Sequence, residues 1–256
     1  MDDVDDVDQA AGSNSVLGKA RLILEAFQLD DGSLTLTELS RRTGISKASV
    51  HRLNQELLDW GMLERSGLEY RLGMAAFELG SRVPRFRVLR DAVRPYMESL
   101  HHRTRETVHL AVLDGLDVLY LEKVSGGPRA ARPSRIAGRL PLHSTATGKV
   151  LLAFSPASLV QSLFERGPLE RVTPTTVVMP GMLVNQLRKA RSDGYATERE
   201  ETTAGYCSVA VPIFGASGLL LAAVSLTTAA AGSNPAEHAE LLKSVSLKVS
   251  ATGAVN

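Results

Sequence analysis

Apolar residues recur every three or four positions through most of the first hundred residues, and every second position in much of the remaining chain. The first period is that of an amphipathic helix and the second that of a half-buried strand. Over 19–29, Leu22, Ile23, Ala26 and Phe27 fall at helical spacing. After "DDGS" comes "LTLTELSRRTG", where Thr37 is read as the N-cap of a short helix over 38–43 and Gly44 as its left-handed C′ residue. Ser46 is suited to cap a further helix over 47–60, with Val50, Leu53 and Leu57 on its apolar face and Trp60 at its end. The stretch "GMLERSGLEYRLG" (61–73) predicts a strand, a Ser-Gly turn and a second strand. Two helices around a glycine turn, followed by a hairpin, give the pattern of a winged helix-turn-helix.

Beyond Pro84, the spacing of Leu89, Val93, Tyr96, Met97 and Leu100 predicts a helix over 88–107. "TVHLAVLDGLDVLYLEKV" then alternates, with Asp114-Gly115 in a hairpin turn. "LPLHSTATGKVLLAF" leads from a strand end into a helix that Ser144 or Thr145 caps, its first turn being Ala146, Thr147 and Gly148. Helices over 156–166, 180–193 and 235–251 alternate with strands at "GYATEREETTAGYCSVAVPIF" and 219–228. The expected fold class is α+β, an N-terminal winged helix and a C-terminal mixed α/β domain of the kind that senses small molecules. Domain boundaries are expected at 1–13 (acidic tail), 14–75 (winged helix), 76–90 (linker helix) and 91–256 (second domain).

Overall charge changes little, at +1 for 256 residues, but its distribution matters. Five aspartates crowd the first eight residues, which reads as a disordered tail. "SRRTGISKASVHRLN" (40–54) is instead basic, without an acid. Lys47, Ser49, His51, Arg52 and Asn54 fall off the apolar stripe of the second helix and are free to face DNA. Arg52 suits guanine and Asn54 adenine, while Lys47 and the hydroxyls of Ser46 and Ser49 suit phosphates. Arg41 adds charge beside them, and Arg65 and Arg71 flank the tip of the hairpin. A single cysteine, Cys207, forms no internal disulfide, in keeping with a reducing cytoplasm. The first fifteen residues lack the pattern of a signal peptide, and no apolar run reaches the ~18–20 residues of a membrane span. Cys207 has no sequence-level activating partner, and His109 and His143 stand isolated, so no catalytic residue, metal or cofactor is expected.

The ordered set "LTLTELSRRTGISKASVHRLNQELLDWGML", "YRLG", "ETVHLAVLDGLDVLYLEKV", "LPLHSTATGKVLLAF", "GYATEREE", "SVAVPIF" and "AAVSLTT" resembles the IclR family of bacterial transcriptional regulators over nearly all the chain after the acidic tail. The resemblance implies a dimer or tetramer, a linker helix that helps dimerise, a GAF-like effector-binding domain, and near-palindromic double-stranded operators. It also implies an effector that is a small organic acid or aromatic catabolite, held by Ala146, Thr147, Glu198, Ser208, Ser225 and Thr227. Ser208 stands where many members carry cysteine, and Cys207 where they often carry arginine. The expected function is a regulator, more often a repressor; a sensor or enzyme with a vestigial helix-turn-helix is the alternative.

Overall fold

The computed structural model describes residues 15–28, 31–126 and 136–251, so the acidic tail at 1–13 lies outside the described residues. The described residues divide between Pro84 and Arg85 into two compact units.

In the first unit, α1 (Val16–Glu25) begins three residues before the predicted helix because Ser15 accepts the Gly18 amide as N-cap, and it ends at Glu25 rather than near 29. Helix α2 (Leu36–Thr43) is capped by Thr35 rather than Thr37. Thr35 and Glu38 form a reciprocal capping box, which Thr37 has no glutamate three residues ahead to complete. Gly44 ends α2 with φ 71° as expected, and Ser46 caps α3 (Lys47–Asp59). Ile23, Leu39, Val50, Leu53, Leu57, Leu63 and Tyr70 form the core, whereas Trp60 is the C-cap of α3 and stays exposed. Strands β1 (Leu63–Ser66) and β2 (Glu69–Leu72) pair antiparallel, and Leu34 adds a bridge to Tyr70. Gly73 then leads into α4 (Met74–Ser81); a Cβ on it would sit 2.1 Å from the Gly61 carbonyl oxygen, so only glycine fits.

The second unit is built on a six-stranded sheet in the order β5-β4-β3-β8-β7-β6, with every pairing antiparallel. Its elements run α5 (Pro84–Thr104), β3 (Thr107–Asp114), β4 (Asp117–Val124), β5 (Arg139–Pro141), α6 (Ala146–Phe154), α7 (Ala157–Glu165), α8 (Pro180–Asp193), β6 (Ala196–Arg199), β7 (Tyr206–Phe214), β8 (Leu220–Ala229) and α9 (Pro235–Ala251). Helix α5 starts at Pro84, where proline's fixed φ and missing N–H suit a first turn, not at 88. The 76–90 stretch therefore contains the end of α4 and the start of α5.

Strand alternation gives the sheet two unlike faces. One carries Val108, Leu110, Val112, Val209, Val211, Ile213, Val224 and Leu226, which pack with Met97 of α5 and Leu242 of α9. The other carries Ala111, Ala196, Ala210 and Ala223 and packs with Val150 of α6 and Leu183 and Leu187 of α8. Alanines on the sheet let α6 lie close, and Gly148 lets the loop leading into α6 fold against its first turn: a Cβ there would meet the Leu142 carbonyl oxygen at 2.2 Å.

Candidate functional site

The exposed face of α3 presents Lys47, His51 and Arg52, with Ser46 and Ser49 at its N-terminal end and Arg41 on α2. Ser49 is half-buried and donates its amide to Ser46 Oγ. Arg52 pairs with Glu56 one turn on at 2.8 Å, both side chains well exposed, a contact weak enough for a phosphate or base to replace. In the hairpin, Arg65 lies 4.4 Å from the Tyr70 ring centroid, and Arg71 pairs with Glu64 at 2.9 Å. Asn54 contradicts the sequence reading. It is 0% exposed, and neither its amide oxygen nor its nitrogen is hydrogen-bonded to a described residue. Four residues after Val50, it lies at the margin of the apolar stripe and turns into the core rather than toward DNA.

In the second unit, Ala146, Thr147, Glu198, Ser208, Ser225 and Thr227 all line one cavity of about 440 Å³, its open mouth included. Two mechanisms bring them together. Sheet register sets Glu198 opposite Ser208 and Ser208 opposite Thr227, with Ser225 opposite His109 one step along. The N-terminus of α6 supplies the rest: Thr145, not Ser144, is the cap, accepting the Gly148 amide at 3.0 Å. The first i→i−4 bond of α6 runs from Lys149 to Thr145, so the Ala146 and Thr147 amides precede the ladder at its positive end.

The polar row is tightly bonded. Ser208 Oγ donates to Glu198 Oε1 at 2.8 Å and lies 2.9 Å from Thr227 Oγ1; the Glu201 amide donates to Glu198 Oε2 at 3.0 Å. Burial pushes the Glu198 carboxyl up to about 7 against the pull of these donors. Coupled in charge to Glu198, the buried Lys149 ammonium pairs with Glu201, whose other oxygen accepts the Val177 amide at 3.2 Å. Burial pulls the Lys149 ammonium below its ordinary value, opposed by Glu201. Tyr120 OH lies 3.2 Å from Thr147 Oγ1, its ring edge-on to His109 with centroids 5.2 Å apart. Burial holds the His109 imidazole neutral, at about 3, and raises the Tyr120 hydroxyl to about 12.

The model of the IclR C-terminal domain of bacterial transcriptional regulators matches residues 85–251, and that of the IclR helix-turn-helix domain matches 16–67. The chain belongs to the IclR family. It is 34% identical over 223 residues to the transcriptional regulator XynR of Escherichia coli K12, covering 86% of this chain and 88% of XynR. An IclR homologue of Microbacterium hydrocarbonoxydans, solved in complex with 4-hydroxybenzoate, superposes with a TM-score of 0.89 at 31% identity, covering 94% of this chain and all of that one. The IclR structure of Thermotoga maritima gives 0.76 at 31% identity, covering 93% and 98%. Family and fold make this chain a DNA-binding transcriptional regulator.

Within this IclR-family fold, the sequence reading missed several lining residues: His109, Tyr120, Leu140, Thr145, Thr202, Thr203 and Tyr206. Those on β3 and β4 reach the cavity through cross-strand register, which a single strand's pattern does not encode; the alternation of His109 with Ala111 was the signal present. Thr202 is tied to α6's approach by a hydrogen bond to the Ser144 carbonyl at 2.7 Å. His143 is held by the Glu170 carbonyl at 2.8 Å and does not line this cavity. Cys207 is buried, in register with the strand residues of the α5/α9 face, and burial pushes its thiol up, away from the thiolate a nucleophile needs. Among the described residues, no helix is long and apolar enough to cross a membrane.

Proposed function

We propose that this regulator represses its target genes as a homodimer or homotetramer on near-palindromic operators, and that a small organic acid or aromatic metabolite in the second-unit cavity changes its affinity for the operator. The convergence of a helix N-terminus, hydroxyls and one buried carboxyl on a single cavity carries this reading. Amides at a helix start favour a carboxylate, and Ser208, Ser225 and Thr227 add donors for its oxygens or for ring hydroxyls. The His109–Tyr120 pair and Leu140 offer an apolar, aromatic wall. The relative bound to 4-hydroxybenzoate supports an aromatic carboxylate as the first compound to try.

A thermal-shift screen of small acids and aromatic carboxylates, 4-hydroxybenzoate included, tests the site. Hits should then alter gel shifts on DNA upstream of the chain's own gene. Ser208→Leu fills the cavity and is expected to abolish calorimetric binding of those hits. Equal affinity in Ser208→Leu and wild type would remove the cavity from the reading.

A further inference from the structure

We propose that the cavity takes up its carboxylate effector together with one proton, drawn from solvent and held on Glu198, so that effector binding strengthens as pH falls. This rests on the reading of the cavity as the effector site. Among the described residues that line it there is no lysine or arginine, and the single carboxyl is Glu198, itself only 5% exposed. Among the described residues, the cation coupled to Glu198 is Lys149 from α6, and it is committed to Glu201 in the loop after β6. With Glu198 ionised, the coupled group of Lys149, Glu201 and Glu198 carries a net −1, and Glu198 presents that charge to the cavity, where an incoming carboxylate is repelled.

Among the described residues, the other elements around Glu198 do not neutralise it. Strand β3 contributes His109, held uncharged; β4 contributes Tyr120, un-ionised at neutral pH; β7 contributes Ser208 and Tyr206; β8 contributes Ser225 and Thr227. Glu200, the remaining acid nearby, accepts the Gly205 amide at 2.8 Å and is not in the lining. Protonating Glu198 removes the excess charge and turns an acceptor into an O–H donor. A carboxylic acid donating to a carboxylate is a short, charge-assisted hydrogen bond. Burial has already moved the Glu198 equilibrium to about 7, so the proton is available near neutral pH.

An ordinary carboxylic acid ligand is ionised throughout the neutral range, so pH acts on the protein. Affinity is set by the fraction of protein with Glu198 protonated: nearly constant below about pH 6, then falling about tenfold per unit above 7. Between pH 6 and 8.5 the dissociation constant should rise roughly 30-fold.

The test is titration calorimetry of the full chain with 4-hydroxybenzoate, benzoate and propionate, at pH 6 and 8.5, in two buffers of different ionisation heat. For any acid that binds, the expected result is the roughly 30-fold weakening with uptake of close to one proton at pH 8.5. Glu198→Gln, permanently neutral, should bind with the same affinity at both pH values and take up no proton. Binding of an acid with flat pH dependence in the wild type, or a slope retained in Glu198→Gln, overturns the proposal but leaves the effector site standing. No binding of any acid at either pH overturns both. Should Glu198→Gln fail to fold, carboxyl-carbon NMR of the ligand-free wild type decides: ionisation near 7 supports the proposal, and ionisation below 5 overturns it.

Discussion

Among the described residues, Asn54 is one whose surroundings fit its chemistry poorly, with both polar atoms of its amide buried and unpartnered. A primary amide has four hydrogen-bonding positions, and burying them unmet costs about 1–3 kcal/mol. Leucine has nearly the same shape without that cost. Asn54→Leu is therefore expected to stabilise the first unit by about 1–2 kcal/mol and to raise its thermal midpoint by several degrees. Calorimetric scanning of the variant checks this, and a lowered midpoint would mean the amide is satisfied in solution. The same residue marks where sequence reading fails. A position off the apolar stripe predicts exposure, yet a helix packed on two sides buries more than its stripe, and only the neighbours decide how much. Glu198, in contrast, is legible by resemblance, because its place in "GYATEREE" fixes its strand and its face.

At the scale of elements, the helix ends are written in short-range chemistry. Gly44, Ser46 and the Asp114-Gly115 turn stand where single residues demand, and Thr35 rather than Thr37 caps α2 because only Thr35 has Glu38 at the capping-box spacing. The register of the sheet is not readable in that way. A bulge between Leu110 and Ala111 shifts β4 against β3, and it is this shift that sets Tyr120 opposite Ala111. The close seat of α6 makes the sharpest prediction here. Gly148→Ala would drive a methyl into the Leu142 backbone and is expected to cost about 1–3 kcal/mol, with weakened effector binding as the N-terminus of α6 moves. Gly181→Ala, in open space at the start of α8, should be neutral or slightly stabilising. Equal denaturation midpoints for the two variants would show that α6 has room to give.

For the whole molecule, the residues proposed to contact DNA lie in one unit and the cavity in the other. Arg52→Ala is then expected to weaken binding to the upstream operator by about 1–3 kcal/mol if it holds a guanine, or to lower the salt slope by about one if it holds a phosphate. Effector affinity should be unchanged. Gel shifts at several salt concentrations read both effects, and an unaltered affinity and slope would exclude Arg52 from the interface.

The sheet of the second unit has a bearing on what its borders offer to another strand. Its outer strands are the shortest, β5 with three residues and β6 with four, against eight to ten for the four inner strands. Outer strands this brief are short templates for another chain to extend. A further strand added to β5 or β6, one path toward fibrous aggregates, would have only three or four residues to pair with. Association, where it occurs, is then left to side-chain surfaces, where sequence can choose the partner.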